Sequence, residues 1–220
     1  VGTYFFAMSE KQNVISPASI LEAATALVRR LGEGKTNMVD IGRALGVSHA
    51  ALYRFFPSKA AVMDAIVQEA MDEEEELAGK WLDAEGPAAE RLLLIILDIH
   101  HRKRARFTGD REIHDLYRRI LVERPDMILA YAQRMTRLIE TLIAQGVDRG
   151  EWHVSDVSTA ASVVRDAVTA FIHPQLLAQA IEVNAPVEDQ LRATVATLSR
   201  AFEAGVDYGH IGALGSRSTT

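Results

Sequence analysis

Asn37-Met38-Val39-Asp40-Ile41-Gly42-Arg43-Ala44-Leu45-Gly46-Val47-Ser48-His49-Ala50-Ala51-Leu52-Tyr53-Arg54-Phe55-Phe56-Pro57 is the stretch that decides how this chain reads. Asn37 opens a short helix with Asp40 three residues on, the spacing of a capping box. Gly46 ends that helix and Ser48 caps another, which must stop near Phe56-Pro57 because the residue before a proline disfavours the α region. Two short helices joined only by Gly46-Val47-Ser48 cross at a steep angle, which is the helix-turn-helix arrangement. Gly42 is small where the helices touch, Gly46 accepts the turn conformation that side chains disfavour, and Val47 plugs the junction. Ile41, Leu45, Leu52 and Phe56 supply the shared core.

With those residues inward, Ala50, Ala51 and Arg54 face outward, and His49 and Tyr53 lie along the edge of the second helix. A narrow helix tipped with small residues can enter a major groove about 12 Å wide. There Arg54 can contact guanine in bidentate fashion, His49 can donate to a base edge or a phosphate, and the Ala50 or Ala51 methyl can meet a thymine methyl. Tyr53 and Lys59 are placed for phosphate contacts. From spacing alone, two short helices on a glycine turn serve equally well as a structural corner.

The segment from Thr36 to Lys59 resembles the DNA-binding signature of the TetR (tetracycline-repressor) family. Gly46-Val47-Ser48, Leu52-Tyr53, Phe56 and Lys59 match it residue for residue, and the likeness covers roughly Ser16 to Val67. The resemblance implies that Thr36, Asn37, Tyr53 and Lys59 grip phosphates. It implies that the helix opened by Ser48, with His49, Ala50, Ala51 and Arg54, reads bases. Val39 stands where many members carry a basic or polar contact residue and Ala51 where Ser or Thr is frequent, so either affinity is modest or base choice leans on Arg54 and His49.

The rest of the chain agrees with an all-α protein, because no sustained period-two alternation or hairpin signal appears. Ser16-Pro17 starts a helix that keeps Ile20, Ala24, Leu27 and Leu31 on one face until Gly32. Ser58 caps a long helix to about Leu82, with Ala61, Ala65 and Ile66 inward and the acid run Asp72 to Glu76 on a solvated face. After Gly86-Pro87 a helix runs through Leu92, Ile95, Ile96 and Ile99 into a basic, irregular stretch from Arg102 to Gly109. Further helices fit 110–122, 126–147, 156–182 and 187–207. The expected organisation is a flexible leader at 1–15 and a helix-turn-helix domain at 16–67. A helical effector-binding and dimerisation domain at 68–208 and a flexible tail at 209–220 follow. Met8 reads as a native start behind a leader.

Net charge is −6, unpromising for a protein whose ligand is polyanionic. Residues 1–67, however, hold seven Lys/Arg against five Asp/Glu, a net +2 that leaves −8 on the remainder. There are no cysteines, which removes disulfides, thiolate metal sites and cysteine nucleophiles together. The longest aliphatic run, Leu92 to Leu97, is too short to span a bilayer, and no secretory signal pattern opens the chain, so a cytoplasmic location is expected.

For the body, the resemblance implies an effector pocket among the middle helices and a dimeric four-helix bundle from the last two long ones. Trp81, His100, Tyr117, Tyr131 and Phe171 are candidates to meet a small-molecule effector. Val164, Val168, Leu191, Val195, Leu198 and Phe202 keep helical spacing and are candidates for the dimer interface. A homodimer pairs two reading helices on a palindromic operator in double-stranded DNA. His100, His101 and Asp98 raise a metal or anion site, but no second ligand pair at helical spacing stands near. The basic run Arg102 to Arg106 reads as a solvated helix end. The reading calls for no cofactor and no metal. The alternatives are a helical-bundle metal-dependent enzyme, which would need paired Glu-x-x-His motifs that the chain lacks, and a helical adaptor that has lost DNA binding.

Overall fold

The structure is a computed structural model that describes residues 15–209. The expected leader at 1–15 and tail at 209–220 fall, but for residues 15 and 209, outside the described residues. Two compact units divide the chain, Val1–Ile66 and Val67–Thr220.

In the first unit, α1 (Pro17–Leu31) begins at a reciprocal cap. Ser16 Oγ accepts from Ser19 N–H at 3.1 Å, Ser19 Oγ accepts from Ser16 N–H at 2.9 Å, and Pro17 presets the first helical φ. α2 (Met38–Leu45) starts at Asn37, whose Oδ1 accepts from Asp40 N–H at 2.9 Å. The Asp40 carboxylate does not reach back to the backbone. It accepts from the Asn37 side-chain amide at 2.6 Å and from Arg43 at 2.7 Å. α2 stops at Gly46, which takes φ +69° and closes the turn. α3 (His49–Leu52) follows, and α4 (Lys59–Gly79) opens where Ser58 Oγ accepts from Ala61 N–H at 3.1 Å. Ile20, Ala24, Val28, Ile41 and Leu52 are buried and form this unit's core.

The second unit contains the end of α4, then α5 (Ala88–Gly109), α6 (Arg111–Glu123), α7 (Pro125–Asp148), α8 (Val157–Ile172), α9 (Pro174–Glu182) and α10 (Val187–Ala204). Leu92, Ile95, Ile96 and Ile99 of α5 are buried, as are Ile139, Leu142 and Ile143 of α7. Gly146 is required for close packing, since a Cβ there would stand 2.7 Å from the buried Trp152 ring and 3.0 Å from the Ala88 methyl. Trp152 in turn meets Phe202 edge to face at 5.6 Å between centroids. Buried Arg91 of α5 donates to the Leu82 carbonyl at 3.0 Å and to Gln145 at 2.8 Å, tying the turn after α4 to α7.

Two further expectations need correction. The helix foreseen over 156–182 is two helices, because Pro174 has no N–H to donate and holds His173 extended at φ −71°, ψ 124°. The stretch foreseen as irregular from Arg102 to Gly109 is the last part of α5. Its basic side chains do not all repel one another in solvent, because two of them turn inward to a buried carboxylate described below.

Burial lowers the pKa of His100, His114 and His173 below the usual imidazole value of 6.5. The unfolded chain therefore takes up more protons than the folded one as pH falls below about 6.5, so stability is full above that pH and declines beneath it. Glu188, held at about 2 by its hydrogen bonds from His101 and Arg192, titrates below that window. Thermal unfolding followed by circular dichroism should give a Tm several degrees lower near pH 5.5 than near pH 7.5; an unchanged Tm contradicts the neutral burial of these rings.

Candidate nucleic-acid interface and ligand cavity

The contact between α2 and α3 sets the geometry of the first site. A Cβ on Gly42 would stand 2.9 Å from the Val47 carbonyl oxygen and 3.1 Å from the His49 nitrogen. Only a bare backbone lets the two elements approach this closely. Leu52, 0% exposed, fastens α3 from beneath, and Phe56 is half-buried. Ser48, His49, Ala50, Tyr53 and Arg54 are left exposed, and Ala51 is half-buried.

α3 is shorter than expected, with four helical residues rather than a run to Phe56. Its last carbonyl is satisfied by a turn, in which Leu52 accepts from both Phe55 N–H at 2.9 Å and Phe56 N–H at 3.0 Å. Arg54 thus sits on that turn. Ser48 begins α3 without a side-chain cap, so its hydroxyl is not consumed there. The His49 and Tyr53 rings meet edge to face at 6.2 Å, one turn apart on the exposed side.

The predicted phosphate-gripping groups divide. Asn37 and Tyr53 lie at the surface, with Tyr53 49% exposed. The Thr36 reading is corrected: its side chain is 1% exposed and its hydroxyl donates to the Gly32 carbonyl at 3.0 Å, so that group faces the interior. Lys59 is half-buried and its ammonium donates to the Glu33 carbonyl at 2.6 Å, which anchors the start of α4 while two donors remain.

The second unit contains a cavity of about 270 Å³ between α5, α6, α7, α8 and the start of α9. Ile96, Ile99, Met135, Ile139 and Val168 give it apolar walls, and Lys103, Arg165, His173, Tyr117 and Tyr131 bring polar atoms. Two of the five effector candidates, Tyr117 and Tyr131, are therefore on its wall. The other three, Trp81, His100 and Phe171, are not on its wall. Trp81 donates to Asp98 at 2.7 Å, and buried His100 bonds through Nδ1 to the Phe171 carbonyl at 2.9 Å. His101 instead faces Glu188 at 3.0 Å, so Asp98, His100 and His101 each have a different partner.

Sequence reasoning missed the charged floor of this region. Glu74, in the middle of the acid run read as solvated, is 0% exposed. It accepts from Tyr131 Oη at 2.7 Å and from Arg106 at 2.9 Å, and stands 3.3 Å from the Lys103 ammonium. The two cations lie against aromatic faces, Lys103 at 5.2 Å from the Tyr131 centroid and Arg106 at 4.8 Å from that of Tyr117. Burial beside Glu74 drives both tyrosine hydroxyls above their usual pKa, so both remain protonated donors. A signal existed: positions 99, 103 and 106 of α5 share one helix face, so Lys103 and Arg106 follow Ile99 inward.

The dimer candidates also change place. Val164, Val168, Leu191, Val195 and Phe202 are at most 1% exposed within the single chain, and Leu198 is half-buried. They hold α8 and α10 in the protomer's own core, and helical spacing alone does not separate that role from an interface.

Two family models match the chain. "Bacterial regulatory proteins, tetR family" covers residues 20–66, and "Tetracyclin repressor-like, C-terminal domain" covers 88–200. Among solved structures, the chain is similar to SmeT of Stenotrophomonas maltophilia, the repressor of the multidrug efflux pump SmeDEF. That likeness has 17% identity and a TM-score of 0.61, and covers 86% of this chain and 91% of that one. A transcriptional regulator of the TetR/AcrR family from Thermobifida fusca gives 21% identity, a TM-score of 0.59 and coverage of 84% and 97%. A Rhodococcus sp. RHA1 protein of unknown function gives 20%, 0.65, and 88% and 100%. No curated protein matches the chain in sequence. The chain belongs to the TetR family: it is an all-helical, DNA-binding transcriptional regulator with a helix-turn-helix at residues 37–56.

Replacing Gly42 by Val would push α3 off α2, at a cost of about 1–3 kcal/mol in the stability of the first unit. DNA affinity measured by fluorescence anisotropy should fall with it. Wild-type affinity in Gly42→Val would show that the close approach does not set the reading surface.

Proposed function

We propose that this protein is a homodimeric repressor that occupies a palindromic operator and is released when a small molecule enters the cavity of its second unit. The observation that carries the reading is the division at α3, where Leu52 is wholly buried while Ala50, Tyr53 and Arg54 are exposed on the opposite side. Arg54 pairs with guanine, His49 and the Ala50 and Ala51 methyls complete base contact, and Asn37, Ser48, Tyr53 and Lys59 hold phosphates. Residues 16–67 act as the reading domain and 68–208 as the effector and dimerisation domain. The site of action is the cytoplasm. Among the described residues no helix is long and apolar enough to cross a membrane.

One short reading element contacts few base pairs, so a two-fold axis is needed for adequate specificity. In the proposed dimer the outer faces of α8 and α10 meet a second copy, since Val163 is 36% exposed and Ala170, Ala193 and Ala196 are small and exposed. Their small side chains let helices approach closely. Release follows from differential affinity: the effector favours a state in which α4, which begins in the reading unit, no longer holds the two reading elements at groove spacing.

Selection from a random duplex pool at two salt concentrations tests the reading, with enrichment of a palindrome and steep weakening by salt as the expected result. An enzyme or an adaptor enriches nothing. At single residues, Arg54→Ala should relax base choice at one position per half-site, whereas Lys59→Ala should weaken all sequences about equally. Identical selectivity profiles for the two variants contradict these roles.

In size-exclusion chromatography with light scattering, Ala196→Arg should shift the protein toward the monomer. A dimer unaffected by that change moves the interface elsewhere.

A further inference from the structure

The charges around the cavity do not balance. Glu74 supplies one negative charge, and Lys103 and Arg106, both at least nine-tenths buried, supply two positive ones. Arg106 and the Tyr131 hydroxyl already occupy the Glu74 oxygens at 2.9 and 2.7 Å, and Lys103 reaches them only at 3.3 Å. An ammonium carries three donors. Among the described residues, Lys103 is paired with this one carboxylate and lies against the Tyr117 and Tyr131 rings.

His173 stands on the same cavity wall, and its Nδ1 is buried with no hydrogen-bond partner among the described residues. Arg165, the remaining basic group there, is engaged by Asp166 at 2.8 Å. Among the described residues no carboxylate lines the cavity. The wall thus offers one under-satisfied ammonium and one unpartnered imidazole in a largely apolar and aromatic space, with Arg165 already paired.

We infer that the cavity takes a compact monoanion with an apolar body, a monocarboxylate whose head engages Lys103 and His173 while its body lies among Ile99, Met135 and Ile139. This rests on the effector reading above and names the chemical class of the effector. A single ammonium beside a neutral imidazole offsets one charge, so a dianionic phosphate is left half-compensated. A cationic ligand meets the same charge sign as Lys103. A neutral one leaves Lys103 with Glu74 as its one carboxylate partner. Burial lowers the pKa of Lys103, so a carboxylate neighbour also restores what desolvation removes. The link to regulation is short: the group that Lys103 shares with the ligand is Glu74, which belongs to α4.

Titration calorimetry on the full-length protein tests this with four probes: octanoate, phenylpropanoate, octanol and octylammonium. One charge-assisted hydrogen bond in a dry site is worth at least about tenfold in Kd, so a carboxylate should bind about tenfold or more tightly than octanol and octylammonium. Octanoate against phenylpropanoate separates an aliphatic from an aromatic body. Lys103→Gln should abolish the preference for the carboxylate, and Lys103→Arg should retain it.

Ala132→Phe, which fills the cavity from α7, should remove binding of every probe and so place it in the cavity. Equal or tighter binding of octanol or octylammonium overturns the anion class while leaving the cavity as the effector site. Binding of all four probes undiminished by Ala132→Phe overturns the cavity reading itself. Saturation by none of them overturns the monocarboxylate proposal. The wild-type comparison decides the class even where a substituted chain fails to fold.

Discussion

The backbone of α2 at Gly42 comes so close to the turn at Val47 and to the start of α3 that no side chain fits between them. From that approach the rest of the reading surface follows. α3 is pulled against α2, Leu52 is driven under it, and Ser48, His49, Ala50, Tyr53 and Arg54 are left exposed. A longer side chain at Gly42 would lift α3 and tilt Arg54 and Tyr53 away from a common plane. The left-handed turn at Gly46 serves the same end, since it reverses the chain within three residues.

The second unit is organised around a different physical problem, the burial of charge. Glu74 is wholly buried and Lys103 and Arg106 nearly so, and such groups persist only when each is paired. The Tyr117 and Tyr131 rings and the Tyr131 hydroxyl complete the pairing, and together these groups connect α4, α5, α6 and α7. The arrangement also leaves a cation at the cavity wall, which is why the polar character of that cavity is basic.

The helices and the helix-turn-helix were legible because caps, glycines and prolines act locally. Ser16, Asn37, Gly46 and Ser58 each do at the backbone what their residue types suggest. Where reading failed, the deciding partner was distant in sequence. Glu74 looked like one of five exposed acids until Tyr131 and Arg106 arrived from other helices. Thr36 looked like a surface hydroxyl, but the turn at Gly32 offers it a carbonyl. Val164, Leu191, Val195 and Phe202 have the spacing of any buried face, and the sequence does not say whether the face opposite belongs to the same chain. The break at His173-Pro174 was the exception, a local signal that a long apolar pattern on both sides concealed.

The account stands on the exposed side of α3 entering a DNA groove. Amide hydrogen exchange, followed by mass spectrometry with and without a selected operator duplex, measures that directly. The prediction is slowed exchange concentrated in residues 47–56, with a smaller effect around Asn37 and Lys59. Protection confined to the second unit, with residues 47–56 exchanging as fast in the complex as alone, would contradict it.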